Sequence, residues 1–223
     1  MLPVCRPNEA GDIELKAQKE FQPRHKTVKR GDFIFRAGTP FHSLHVICSG
    51  SVKTNRHNNG GDIQIVGFHF PGDVIGMGGI YGNKYTCDVK ALETTEICEF
   101  SFERLGDVIE RVPLVRCILF RCMSNQIALN DSVLSPFLGK KSASDCLVTF
   151  FLDIANRLDR CGFDAQSFPL NISQADIGNY LGLAKETVSR LISDFQEKGL
   201  INIEARRIRI HRLDGLIALS RGI

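Results

Sequence analysis

The rhythm of apolar and polar positions changes twice along this chain. From about residue 20 to 108 the apolar runs are short and broken by glycines at positions 31, 38, 50, 60, 61, 67, 72, 76, 78, 79 and 82. The clearest strand is IQIVGFHF (63–70), and LHVICSG (44–50) is a second that ends in a glycine turn. Asn59-Gly60-Gly61-Asp62 is a hairpin signal. Short strands at this spacing predict an antiparallel barrel or roll. A helical rhythm follows from about Leu114 to Leu134, where Leu114, Cys117, Ile118, Met123, Ile127, Leu129 and Leu134 make an apolar surface. Pro136 and Gly139 are expected to end it. Such a helix either pairs with its twin in a dimer or packs on its own barrel. A further helix, from about Ser142 to Arg160, opens a second domain.

SQADIGNYLGLAKETVSRL (173–191) carries the sharpest pattern. Ser173 is a capping type with Asp176 three residues on. Ala175, Ile177 and Leu181 predict the apolar face of a short helix. Gly182 accepts the left-handed backbone of a tight turn. A second helix from about Ala184 is expected to bury Val188, Leu191 and Ile192. Its opposite face shows Lys185, Glu186, Ser189 and Arg190. An apolar back and a hydrogen-bonding front suit a helix that enters a DNA major groove. The isoleucine-rich INIEARRIRIH (201–211) then reads as a two-stranded wing with a tight connection near Ala205 and Arg206. Arg206, Arg207, Arg209 and Arg212 make it the most basic patch of the second domain.

Composition adds boundaries. The chain is 43% hydrophobic and 24% charged, as is ordinary for a soluble protein. A net charge of +3 does not by itself argue for nucleic acid. No run approaches the roughly 20 apolar residues of a membrane span, and no apolar signal core opens the chain, so a cytoplasmic location is expected. The eight cysteines include no CxxC pair; in a cytoplasmic chain they are expected to be reduced. Cys48, Cys117, Cys122 and Cys146 stand among apolar neighbours and are expected as small core residues.

FRAGTPFHSLHVICSGSVK (35–53), GFHFPGDVIG (67–76), ALETTEICEF (91–100) and DIGNYLGLAKETVSRL (176–191) together resemble the superfamily of the cyclic AMP receptor protein and the fumarate–nitrate reduction regulator, closest to its oxygen-responsive branch. The resemblance spans both halves of the chain. It implies an α+β fold: an N-terminal segment (1–20), a double-stranded β-roll (21–110), a dimerisation helix (111–137) and a winged helix-turn-helix (141–223). The implied function is a dimeric transcription regulator that binds double-stranded DNA and works with RNA polymerase. The family's E-x-x-S-R pattern falls on Glu186, Ser189 and Arg190, which implies TTGAT-type half-sites in an inverted repeat. Arg190 can donate to guanine O6 and N7, Glu186 can accept from cytosine N4, and Ser189 is small enough to meet a base edge. Lys185, Arg206, Arg207 and Arg209 are assigned to phosphates, where they position without specifying. Ile127 matches a seam position of the family's dimer and lies on one line with Met123, and Asn130 stands where the oxygen sensor carries an aspartate.

The signal is less determined. Where cyclic AMP-binding relatives carry a glutamate and an arginine–serine pair, this chain has Met77 and Tyr85-Thr86. A buried phosphate without a cation is costly, so cyclic AMP is not expected as effector. The oxygen-sensing branch holds a [4Fe–4S] cluster on four cysteines. Cys98 matches its β-roll ligand and Cys5 the last ligand of its N-terminal run; the other two have no counterpart. Two readings stand. Either the true start lies upstream and supplies the missing ligands, or this member works without a cluster, responding to another signal or to none.

Two other classes fit the sequence less well. No HExxH, GxSxG or phosphate loop supports an enzyme, and His42 and His45, three apart on a β-stretch, are expected on opposite faces. A metabolite-binding module whose second domain binds protein is the other, and the basic wing and E-x-x-S-R front argue against it.

Overall fold

The computed structural model describes residues 23–57, 60–138 and 142–220. The chain forms two compact units that divide between Asp131 and Ser132.

The described residues of the first unit form eight strands: β1 (Arg24–Val28), β2 (Phe33–Phe35), β3 (Ser43–Ser49), β4 (Val52–His57), β5 (Ile63–His69), β6 (Val74–Ile75), β7 (Asp88–Ala91) and β8 (Thr95–Ser101). They make two four-stranded sheets, ordered β1-β8-β3-β6 and β2-β7-β4-β5, with antiparallel pairing throughout. The result is a roll of two sheets. β4 and β5 form the hairpin expected around residues 59–62, closing at His57↔Ile63, with Gly61 at φ 84°. Gly50, also left-handed at φ 84°, turns β3 into β4. A side chain there would meet the Thr94 carbonyl oxygen at 2.7 Å, so the turn requires glycine twice over.

Two helices interrupt the stretch expected to be all strand. α1 (Gly79–Gly82) is a single turn, and α2 (Phe102–Arg111) follows β8 directly. α2 buries Leu105 and Val108, one turn apart, among charged residues that face solvent. The core of the roll joins Phe35, Phe41, Leu44, Ile47, Val52, Ile75, Tyr85 and Val89 to these two residues.

α3 (Pro113–Leu138) is longer than expected and continues through Pro136 instead of ending there. Pro136 falls in its last turn, where the missing N–H removes only one helical bond. The helix has two apolar sides. Val115 and Leu119 pack on the core of the roll. Phe120, Met123 and Ile127 remain exposed, at 63%, 40% and 62%. One side of the helix thus packs on its own roll, and the other is left exposed.

In the second unit the end of α3 is followed by α4 (Ala143–Arg160), capped by a reciprocal pair: Asp145 N donates to Ser142 Oγ and Ser142 N to Asp145 Oδ2. Its remaining elements are β9 (Ser167–Pro169), α5 (Gln174–Leu181), α6 (Lys185–Glu197), β10 (Ile201–Glu204), β11 (Arg207–Ile210) and α7 (Leu213–Ser220). β9 adds a third strand to the wing, giving the order β10-β11-β9. Phe151, Phe168, Ile177, Val188, Phe195, Ile208 and Leu216 are almost fully buried and form its core.

No helix among the described residues is long and apolar enough to cross a membrane.

Candidate nucleic-acid interface

α5 begins where expected. Asp176 N donates to Ser173 Oγ at 3.0 Å, which satisfies one of the open amides of the first turn. It ends at Gly182, left-handed at φ 68°. The buried face differs from expectation. Ile177 and Gly178 are buried and Leu181 is half-buried, but Ala175 is exposed. Ala175 lies about 200° around the helix from Ile177, so the two cannot share a face. Gly178 escaped notice in the sequence. A side chain on it would stand 2.6 Å from the Leu183 carbonyl oxygen.

α6 starts at Lys185 with Ala184 as its cap residue. Val188, Ile192 and Phe195 are buried, spaced four and three apart. Leu191, expected in this core, is half-buried because it stands at the flank of that stripe. On the opposite side Lys185, Glu186 and Arg190 are exposed and Ser189 is half-buried. Glu186 and Arg190 are one turn apart, with Ser189 beside them, so the three share one face.

The wing follows from register. Glu204 pairs with Arg207, leaving Ala205 and Arg206 as a two-residue loop. Both have positive φ, 48° and 64°, as a primed hairpin turn requires. Along β11, Ile208 and Ile210 are buried while Arg207 and Arg209 are exposed on the other face. The Arg206 carbonyl accepts from Leu170 N at 2.7 Å. One terminal nitrogen of Arg207 donates to the Ser167 carbonyl at 3.1 Å and contacts Ser167 Oγ at 3.4 Å. That arginine is thus held at the edge of β9, whereas Arg206 sits at the tip.

Met123 and Ile127, assigned to dimerisation, and Cys98, assigned to a cluster, lie in the first unit. Met123 and Ile127 are on the exposed face of α3. Of Asn130, Leu129 and Leu134 the structure describes only the helical backbone. Cys5 lies outside the described residues. Cys98 is buried on β8, at 8% exposure. Its sulfur lies 2.6 Å from that of Cys48 and 3.5 Å from His25 Nδ1. Burial first, then the neighbouring Cys48 sulfur, push the Cys98 thiol up. Cys48 and Cys117 are exposed, against the expectation of core residues; Cys146 is buried and Cys122 half-buried. Among the described residues no group of three or more His, Cys, Asp or Glu is placed to hold a metal ion. A [4Fe–4S] cluster takes four thiolates. Of the two cysteines that the resemblance matches to cluster ligands, Cys98 lies within the described residues and Cys5 outside them.

Tyr85 fills the interior of the roll. Its ring stacks on Phe35 at 3.9 Å between centroids, and its hydroxyl donates to the Ser43 carbonyl at 2.8 Å. His42 is exposed just before β3, and His45 is buried within it.

Comparison with known proteins agrees with this architecture. The cyclic nucleotide-binding domain family matches residues 25–112, and the Crp-like helix-turn-helix domain family matches residues 147–219. The chain is 39% identical over 222 residues to the transcriptional activator protein anr of Pseudomonas aeruginosa, covering 100% of this chain and 91% of that protein. It is 36% identical over 217 residues to the fumarate and nitrate reduction regulatory protein of Salmonella typhimurium, covering 97% and 86%. Among solved structures, FixK2 from Bradyrhizobium japonicum superposes with a TM-score of 0.79 at 26% identity, over 89% of this chain and 97% of that one. The chain belongs to the superfamily of transcription regulators that includes the cyclic AMP receptor protein and the fumarate–nitrate reduction regulator, and within it to the fumarate–nitrate reduction and Anr type.

Proposed function

We propose that the chain binds TTGAT-type inverted repeats as a homodimer, one half-site per subunit, and that it regulates transcription from them together with RNA polymerase. The observation that carries this reading is the shared exposed face of Glu186, Ser189 and Arg190 on a helix whose other side is fully packed. Arg190 donates to guanine O6 and N7, Glu186 accepts from cytosine N4, and Ser189 meets the base edge between them. Lys185, Arg206, Arg207 and Arg209 bind phosphates and fix the register of helix and wing. The exposed Phe120, Met123 and Ile127 supply an apolar seam for a second copy.

The signal is redox-linked by kinship with the two curated relatives. Cyclic AMP is disfavoured by Tyr85, which occupies the interior and is bonded to Ser43 where the ligand-binding relatives place a cation. Anisotropy titration of a labelled duplex with two TTGAT half-sites tests the reading. Binding should exceed that to a scrambled duplex by about 10³-fold or more at physiological salt. Equal binding to both would overturn it.

A further inference from the structure

Val52 of β4 and Val89 and Ala91 of β7 point into the core. Strand alternation therefore puts Asn55 and His57 of β4 and Asp88 of β7 together on the other face of their sheet. Asn55 stands directly opposite Asp88 in the ladder. His57, two residues on, reaches the same carboxylate, with its Nε2 3.2 Å from Asp88 Oδ2. The second carboxylate oxygen accepts from Ala37 N at 2.8 Å, which fixes the group in place. Asn55 and Asp88 are 6% and 8% exposed, whereas His57 is open to solvent. Asn55 Oδ1 is closed off from solvent and has no hydrogen-bond partner among the described residues. A hydrogen bond from His57 to Asp88 leaves that buried acceptor orphaned, which costs stability. A cation held between Asn55 and Asp88 would satisfy both.

We propose that Asn55, His57 and Asp88 hold one divalent transition-metal ion, through Asn55 Oδ1, His57 Nε2 and Asp88 Oδ2, and that the ion clamps β4 to β7. Two ligands about 2.1 Å from one ion, at tetrahedral to octahedral angles, stand about 3.0–3.4 Å apart. The spacing of His57 and Asp88 lies in that range. One imidazole nitrogen and two oxygens suit the ions from manganese to zinc. Cys87, the neighbour of Asp88, packs on the core instead and adds no thiolate. The open side at His57 admits the ion and leaves its remaining positions to water. Lys53 and Lys90 pair one step along the same face, and the Lys90 ammonium lies over the Phe33 ring, 5.2 Å from its centroid. Their charge opposes a cation nearby, so binding is modest and reversible. The three residues lie on the sheet β2-β7-β4-β5, whereas Cys98 lies on the other sheet. The inference stands on the roll alone and does not depend on the DNA-reading assignments.

The test uses the full chain with Mn²⁺ as the probe, because this ion favours oxygen ligands and leaves the eight cysteines aside. Loss of the free-ion electron paramagnetic resonance signal counts bound Mn²⁺. Proton NMR shows which of the six histidines the ion broadens. The expected result is one ion per chain at submillimolar Mn²⁺, with the His57 imidazole lines broadened before those of the other histidines. The His57 lines are those missing from His57→Ala. His57→Ala and Asn55→Ala should each weaken binding about 10-fold or more, since loss of a mere supporting partner already costs that much. No uptake at millimolar Mn²⁺ would overturn the proposal and leave a hydrogen-bonded pair only. Broadening that spares His57, or equal binding by the parent chain and either variant, would overturn it as an adventitious surface ion. If Asn55→Ala does not fold, the parent chain and His57→Ala, changed at an exposed position, still decide the matter.

Discussion

Gly178 and Leu183 meet across the turn between α5 and α6. Leu183 N donates to the Gly178 carbonyl at 2.8 Å, and a Cβ on Gly178 would lie 2.6 Å from the Leu183 carbonyl oxygen. The turn is closed so tightly that no side chain fits. Gly178→Ala would gain about 1 kcal/mol of helix propensity. The clash is with backbone, which cannot swing aside, and overpacking of this kind costs about 1–3 kcal/mol. The net expectation is a lower urea midpoint for the second unit. Gly106→Ala, in α2 with nothing within 4 Å, is the control and should raise stability. Equal gains from both would show that the turn can relax.

Ile127, 62% exposed, is expected to be covered by a second copy. Ile127→Glu would place a carboxylate on each side of that seam, and burying an unpaired charge costs several kcal/mol. Sedimentation at micromolar concentration should show the parent chain as a dimer and the variant as a monomer. A variant that stays dimeric would move the seam elsewhere.

The wing loop holds Ala205 and Arg206 at positive φ, a conformation that costs about 1–2 kcal/mol for an ordinary residue. Asparagine tolerates it and β-branched residues do not. Ala205→Asn should therefore raise thermal stability and Ala205→Val should lower it. Base preference should be the same in both, because Ala205 carries no group that reads DNA.

His45 is buried in β3 and its titration is lowered to about 4, mainly by desolvation, with Glu99 opposing and Lys26 adding to the shift. The unfolded chain takes up this proton near pH 6.5. Between those values the unfolded state holds more protons, so stability present above about pH 6.5 is lost as the pH falls toward 4. Denaturation measured across that window should steepen for the parent chain relative to His45→Leu. Identical slopes would mean that His45 does not titrate out of register with the unfolded state.

Much of the second unit could be read from the chain because its signals are local. The Ser173 cap, the Gly182 turn, the buried Val188 and Ile192, and the Ala205-Arg206 loop all depend on neighbours within a few residues. What escaped was set by partners distant in sequence. α2 continues from β8 without a break, and its Leu105 and Val108 gain meaning only against the roll. β9 is three residues long and is a strand only because β11 pairs with it. Cys48 was expected in the core by its apolar neighbours, but the bulge between Ile47 and Ser49 turns it out toward Cys98. Phe195 was missed because the apolar stripe of α6 extends beyond the motif.

A division of labour between α6 and the wing is central to the proposed reading of DNA. Its direct test is the affinity of parent chain, Arg190→Ala and Arg207→Ala for every single-base variant of a TTGAT half-site, at several salt concentrations. Arg190→Ala should lose about 1–3 kcal/mol of discrimination at one guanine position and little elsewhere. Arg207→Ala should weaken binding to all variants alike and reduce the salt slope by about one phosphate. If instead Arg207→Ala changes the preferred base and Arg190→Ala does not, helix and wing have been assigned the wrong way round.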